Sequence, residues 1–562
     1  MQHSRSELEE WDQTATGRMA ATLALMGVAL VAAAATPPPN SWAHRPQFLP
    51  VCDNGLMAGA DATRTFACMT LAPQPSTTGG DVRRDHHHIT DAPVLGNEHG
   101  LPVVHQRYTL SCTSHARRRQ KSDDDSSETD CNVMKFGAKG DNITEDTQAI
   151  AAALTACAAK SGRTIVPRGT YLIRPLNLPS GTDLVLQLGS TLAAWPDRYT
   201  WPNSTNKPCD FAREGSSACH KNLPTCVPQK ESLLFAENAT DISISGGGTI
   251  DGNANGNDWH LGPSNASADG KHRGRGYNDF WHQCRPRMIE IRYSQNIRVD
   301  NINIHNSIMF NVKMARVSGV RISNVHIHSL GPNTDGFNIA GNNMELVDST
   351  VCNNDDCVPV NAPTNGLIVR NVSCLCQWGG GFVPMIGDKD TSWGADCQYK
   401  NNVSVCSPSG DIVNVTFSDS TFNHTSTAVI MKSMPVFDGQ IVNVTYENLR
   451  LHNVRTGVCI NTQAQECFPR GSDDRWLAHA RSRGGGGKVD VMNVKGITVR
   501  NVSGEGVGLA GYVNCPKQAA GNGTCTELTL EAINFTGAKP WVCAGSLTGA
   551  AKGCVPPACP LK

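Results

Sequence analysis

Two short stretches carry carboxylates in a setting that suits neither a helix face nor a solvated charge run. GPNTDGFNIAG (331–341) contributes Asp335, and NNDDCVPV (353–360) contributes Asp355 and Asp356. Carboxylates held close together perturb one another, so that one keeps its proton while another stays ionised, which is the condition for an acid and a base in one site. The bland alternative is that they are turn residues, since Asn, Asp and Gly dominate turns for backbone reasons. Two such stretches in register on neighbouring chain segments would favour a site.

The surrounding sequence supplies that register. NIRVDNINIHN begins at Asn296, GVRISNVHIHS at Gly319, NMELVDSTVCN at Asn343 and GLIVRNVSCLC at Gly366, with starts 23, 24 and 23 residues apart. Related stretches return at Asn414, Asn443 and Gly496, with longer gaps that require insertions, one of them carrying Cys397 and Cys406. Alternating Val and Ile put one face inward, and a single unit cannot bury that face, so stacked units must form a continuous core. The pattern predicts an all-β fold, a single-stranded right-handed parallel β-helix. An alanine-rich helix through TQAIAAALTACAA, with caps offered by Thr144, Asp146 and Thr147 and a stop at Gly162, would close its N-terminal end. Successive coils lie about 4.8 Å apart, which would gather Asp335, Asp355 and Asp356 into one cluster on the outer wall.

Composition limits the partners. Lys and Arg total 49 against 50 acidic residues in 562, so nothing in the net charge draws the chain to nucleic acid or an anionic membrane. The 22 cysteines lack the paired spacing of a zinc module, although the short Cys352/Cys357 and Cys374/Cys376 separations resemble one; a disulfide reading is favoured, with the pairing left open. Twelve N-x-S/T sequons, at Asn142, Asn203, Asn238, Asn265, Asn371, Asn402, Asn414, Asn423, Asn443, Asn501, Asn522 and Asn534, agree with an oxidising, secretory route. Residues 1–35 hold an apolar run, Met19 to Ala35, too short for a bilayer span of about 20 residues and suited to a cleaved signal. Either Met19 is the true start, or the segment is an uncleaved anchor. Residues 36–130, with prolines, charge runs and the triple histidine His86 to His88, read as a poorly ordered extension, and 131–562 as the β-helix domain.

At these residues the sequence resembles the polygalacturonase family of pectin hydrolases, glycoside hydrolase family 28. Asn333, Thr334 and Asp335 match its Asn-Thr-Asp block and Asp355–Asp356 its Asp-Asp block. The likeness runs from Phe136 to about Cys559, and includes FGAKGDNITEDTQAI, GGGTIDG (246–252) and the closing VCAGS…GCVPPACP. The resemblance implies an inverting hydrolase of α-linked, galacturonate-containing chains. Asp355 would be the acid, Asp335 and Asp356 would hold the water, and Asn333 and Lys432 would contact substrate. It implies no metal or organic cofactor, a pectic polysaccharide as partner, no membrane partner once the signal is cleaved, a monomer, and a secreted, extracellular or cell-wall location.

The departures bear on the substrate. The family's Gly-His-Gly meets WGGGFVPMIG here, which puts Phe382, or with one gap Gly380, where histidine would stand. Its Arg-Ile-Lys block becomes Ile430, Met431 and Lys432. Loss of the arginine removes a partner for a substrate carboxylate. The rhamnogalacturonase branch also lacks that histidine, so homogalacturonan, rhamnogalacturonan and other substituted galacturonans stay open. Phe382 would give the site a more apolar floor. Two further readings remain: a non-catalytic pectin-binding or wall-associated β-helix protein, and a calcium-dependent lyase, for whose arginine base the sequence offers no clear candidate.

Overall fold

The computed structural model describes residues 51–52, 55–56, 129–208, 228–254, 259, 285–376, 379–386, 397–400, 403–406, 410–433, 439–462, 467, 492–515, 525–545 and 547–561. The expected signal segment (1–35), almost all of the extension (36–130) with its triple histidine, and the sequons at Asn265, Asn402 and Asn522 lie outside the described residues. The chain divides into two units, Met1–Gln120 and Lys121–Lys562. In the first, Val51–Cys52 pairs antiparallel with Gly55–Leu56.

Among the described residues of the second unit, 27 strands form one continuous sheet whose pairings are parallel, the right-handed β-helix that the repeat predicts. The buried positions of the repeat stack coil on coil: Ile297 pairs with Val320, then Met344, Leu367, Val415, Val444 and Ile497. Each is buried, so every coil closes the apolar face of the next.

The repeat also encodes the corners. All seven repeat starts have left-handed backbone, from φ 52 at Asn343 to φ 76 at Gly366. Asn and Gly interchange there because both enter the left-handed region at little cost. Five residues on, Asn301, Asn324, Asp348, Asn371, Asp419, Asn448 and Asn501 are left-handed as well. Their side chains bond along the axis: Asn324 to Asn301, Asn371 to Asp348, Asn448 to Asp419 and Asn501 to Asn448, at 2.7–3.0 Å.

The helix spans Thr147–Ala158 and buries Ile150, Ala153, Leu154 and Cys157 over the first coil, with Cys157 bonded to Cys131. Its cap differs from the expected one. Asp146 occupies the N-cap position, but makes no side-chain cap bond; its carboxylate accepts the N–H groups of Lys139 (2.7 Å) and Gly140 (3.0 Å). Thr147 Oγ1 accepts from Arg174 N–H, so these polar groups fasten neighbouring segments instead of the helix end. Gly162 N–H does donate to the Cys157 carbonyl and ends the turn. The insertion with Cys397 and Cys406 is an antiparallel hairpin in which these two residues stand opposite each other.

Candidate active site

The site lies on the outer face of one strand ladder, Ile289–Arg292, Val312–Ser329, Phe337–Asn353, Val358–Asn361, Gly380–Ile386, Thr427–Ser433 and Thr456–Asn461. Asp335 and Asp356 sit at the corners that lead into two of these strands. Ile339 pairs with Val360, and Gly336 N–H donates to the Asp356 carbonyl, so Asp356 stacks on Asp335, one coil away. Asp355 is the residue before.

Buried polar side chains hold these corners. Asn311 Nδ2 donates to the carbonyls of Thr334 and Asp335, and Asn353 Nδ2 to those of Thr334 and Asp356. The Thr334 hydroxyl bonds to the Ser329 and Gly331 carbonyls, and Asn354 N–H donates to it. Disulfides Cys352–Cys376 and Cys357–Cys374 then bracket Asp355 and Asp356 on both sides, as expected for these cysteines.

The three carboxylates have different surroundings. Asp356 is 6 % exposed; its Oδ2 accepts from Lys432 Nζ at 2.7 Å and its Oδ1 from Gly380 N–H at 2.6 Å. Asp335 Oδ2 accepts from Asn338 Nδ2 at 3.1 Å. Asp355 accepts from the Asp356 N–H (2.9 Å) and from Asn333 Nδ2 (3.1 Å). Burial first, and then the Asp356 charge, push the Asp355 carboxyl up to about 6, against the opposing pull of Lys432. Burial works against the Lys432 charge, but the ion pair with Asp356 outweighs it and raises the ammonium above its ordinary value. Neighbouring carboxylates are thus set apart: one salt-bridged, the other biased toward its protonated form.

Asn333 and Lys432, the expected substrate contacts, are both in this cluster. Phe382 is not. It is fully buried inside the solenoid, stacked on Phe417 (4.6 Å between centroids) and edge-on to Phe422, so it belongs to the core and forms no floor. The residue beside Asp356 in the missing-histidine segment is Gly380. The glycines are steric: a Cβ on Gly379 would lie 2.4 Å from the Asp355 carbonyl carbon, and one on Gly381 2.2 Å from the Phe422 ring. Ile430, in place of the family's arginine, packs in an outer apolar cluster with Val383, Cys459 and Cys467.

Fragments of the chain match known proteins in the same region. The sequence pattern of Glycosyl hydrolases family 28 matches residues 225–552, more than half of the chain.

The chain belongs to glycosyl hydrolases family 28.

A second pattern, Rhamnogalacturonase A/epimerase, pectate lyase-like, matches residues 131–185. A probable polygalacturonase of Arabidopsis thaliana is 24% identical over 355 residues, 61% of this chain and 67% of that protein. Endopolygalacturonase A of Aspergillus niger is 24% identical over 212 residues, 37% of this chain; the match spans 46% of that enzyme, about half of its length. The crystal structure of a hyperthermoactive exopolygalacturonase from Thermotoga maritima, 18% identical, aligns with a TM-score of 0.54 over 75% of this chain and 92% of that one, which fixes the shared fold. This chain is accordingly a glycoside hydrolase.

The family motifs do not include every polar group of the site. Arg285, in CRPRM, is buried; it donates to the Ile308 and Pro332 carbonyls (2.7 and 2.8 Å) and, through Nη2, to Asn333 Oδ1 (3.1 Å). Burial lowers its pKa to about 9, opposed by the charges of Asp355 and Asp335, which leaves it cationic at neutral pH. On the same ladder, before the carboxylates, Arg287 and Arg292 are buried with Glu290 between them, at 3.5 and 3.6 Å. A lone arginine in an irregular stretch gives no periodic signal, but a Pro between two arginines, just ahead of an apolar strand, would have been the place to look.

Proposed function

We propose that this enzyme hydrolyses α-glycosidic bonds of a galacturonate-containing pectin with inversion at the anomeric carbon. The observation that carries the reading is the split between adjacent carboxylates: Asp355 raised to about 6, Asp356 salt-bridged to Lys432. Asp355 gives its proton to the glycosidic oxygen as the C1–O bond breaks. Asp335 and Asp356 hold the water on the opposite face and take its proton as its oxygen bonds to C1. Inversion needs the acid and the water-holding carboxylates about 6.5 to 9.5 Å apart. Asn333 and Lys432 contact the substrate, Lys432 as the cation for a substrate carboxylate.

The sugar next to the scissile bond is neutral or substituted, as in rhamnogalacturonan or xylogalacturonan. A family arginine would offer a galacturonate a charge-assisted bond of about 1.5–3 kcal/mol; Ile430, buried among Val383, Cys459 and Cys467, offers none, and a neutral deoxysugar has no such bond to lose. The disulfides and sequons support a secreted, extracellular enzyme. Hydrolysis of polygalacturonate, rhamnogalacturonan and xylogalacturonan, followed by reducing ends and by absorbance of unsaturated products, tests the reading. Reducing ends without that absorbance support hydrolysis; their absence on all three polymers would leave the non-catalytic, pectin-binding alternative.

A further inference from the structure

We infer that Arg285 is a positioning residue for the acid: its guanidinium fixes the amide of Asn333, which then presents Nδ2 to Asp355 Oδ2. The inference rests on the assignment of Asp355 as the acid.

An asparagine amide can present either its oxygen or its nitrogen to a neighbour, and only the nitrogen can donate to a carboxylate. Arg285 has donors and no acceptor, so a bond from Nη2 selects the Asn333 orientation that places Oδ1 on the arginine and Nδ2 on Asp355. The guanidinium is itself fixed by the carbonyls of Ile308 and Pro332, which belong to corners on successive coils. Arg285 is 2 % exposed, so this donor works at low dielectric, where a hydrogen bond is stronger than in water. Asp355 is otherwise faced by Asp356 on its own turn and Lys432 two coils further on, while Asp335 on the preceding coil acts on Lys432 and Arg285.

Both links of the relay favour the ionised form of Asp355: the Asn333 N–H directly, and the Arg285 charge through space. Loss of Arg285 therefore moves the Asp355 proton affinity upward, and with it the alkaline limb of the rate profile. A purely structural arginine would lower the amount of folded enzyme without moving that limb.

The test uses the full chain with Arg285→Met, Arg285→Lys, Asn333→Ala and the double variant Arg285→Lys/Asn333→Ala, assayed on rhamnogalacturonan and polygalacturonate. For Arg285→Met, kcat should fall about 10- to 100-fold with KM nearly unchanged, and the alkaline limb should rise by about half a pH unit. Arg285→Lys keeps the charge but cannot reproduce the planar fork, so it should lose kcat with the limb in place. It also decides the matter where Arg285→Met does not fold. Because Arg285 acts through Asn333, the double variant should be no slower than Asn333→Ala alone within about threefold. Losses that multiply, or an unchanged kcat in Arg285→Lys, overturn the inference. Full activity of Asp355→Asn, or a wild type inactive on all pectins, overturns the acid assignment and this inference with it.

Discussion

Asp355 and Asp356 are neighbours in the chain and opposites in environment, and the proposed chemistry depends on that contrast. Replacing Asp355 by Asn keeps the volume and removes the proton, so turnover should fall by about 10²–10⁴-fold with unchanged circular dichroism. An unaltered rate would remove Asp355 from its role. The acid must be protonated to act, and its pKa is raised to about 6; kcat/KM should hold below that value and decline above it in a pH–rate profile. Lys432 pulls the Asp355 pKa down, so Lys432→Met should raise KM for acidic substrates and shift the alkaline limb upward. Phe382 offers a contrasting case. With its ring inside the core, Phe382→Ala should cost about 3–5 kcal/mol in denaturant unfolding and leave the ratio of rates on the different pectins unchanged.

The turn that carries Asp355, the proposed acid, is defined less by its own residues than by what clamps it. Cys352–Cys376 and Cys357–Cys374 close loops with sequence separations of 24 and 17 residues around it. Removing the second bridge by Cys357→Ser/Cys374→Ser should cost about 3 kcal/mol of stability and should lower kcat more than KM, because the aspartates lose their fixed geometry. Gly379 packs against the backbone of the same turn, where an added Cβ would lie 2.4 Å from Asp355 and 2.5 Å from Asp356 backbone atoms. Since backbone has no rotamer to yield, Gly379→Ala should lower both Tm and kcat. Left-handed asparagines such as Asn324, Asn371, Asn448 and Asn501 do for their corners what the disulfides do for this one: they set the turn and bond to the neighbouring coil.

The solenoid matters to function as a ruler. Parallel strands about 4.8 Å apart bring residues from distant coils into one row, which is how Lys432 meets Asp356 across 76 residues of sequence. The helix Thr147–Ala158 closes the apolar end of that stack. Its removal should leave the protein aggregation-prone in size-exclusion chromatography, since a terminal coil without a cap exposes its core. For the intact enzyme, proton NMR of the first product from an α-linked substrate should show the inverted anomer, and a retained α-anomer would exclude the proposed mechanism.

Much of this was legible in the sequence because it repeats. The period near 23 residues over the first four starts, the Val and Ile alternation and the Asn or Gly at all seven starts are local facts, and parallel pairing sets them in register. The register of those coils also brought the three aspartates together, whereas Asn333 and Lys432 were named through the family resemblance. Which way a side chain faces could not be read where both faces are apolar: GGFVPMI has no alternation, so only the pairing of Phe382 with Val358 and Val429 placed its ring inward. The Asp146 contacts, the Asn311 and Asn353 supports and the Arg285 relay likewise depend on segments that meet through the fold. By itself the sequence determined the β-helix and named the three carboxylates that the proposed mechanism uses. The tertiary structure alone decided which of them is salt-bridged, which is raised, and what holds each in place, because burial and charge neighbours are properties of the assembled coils.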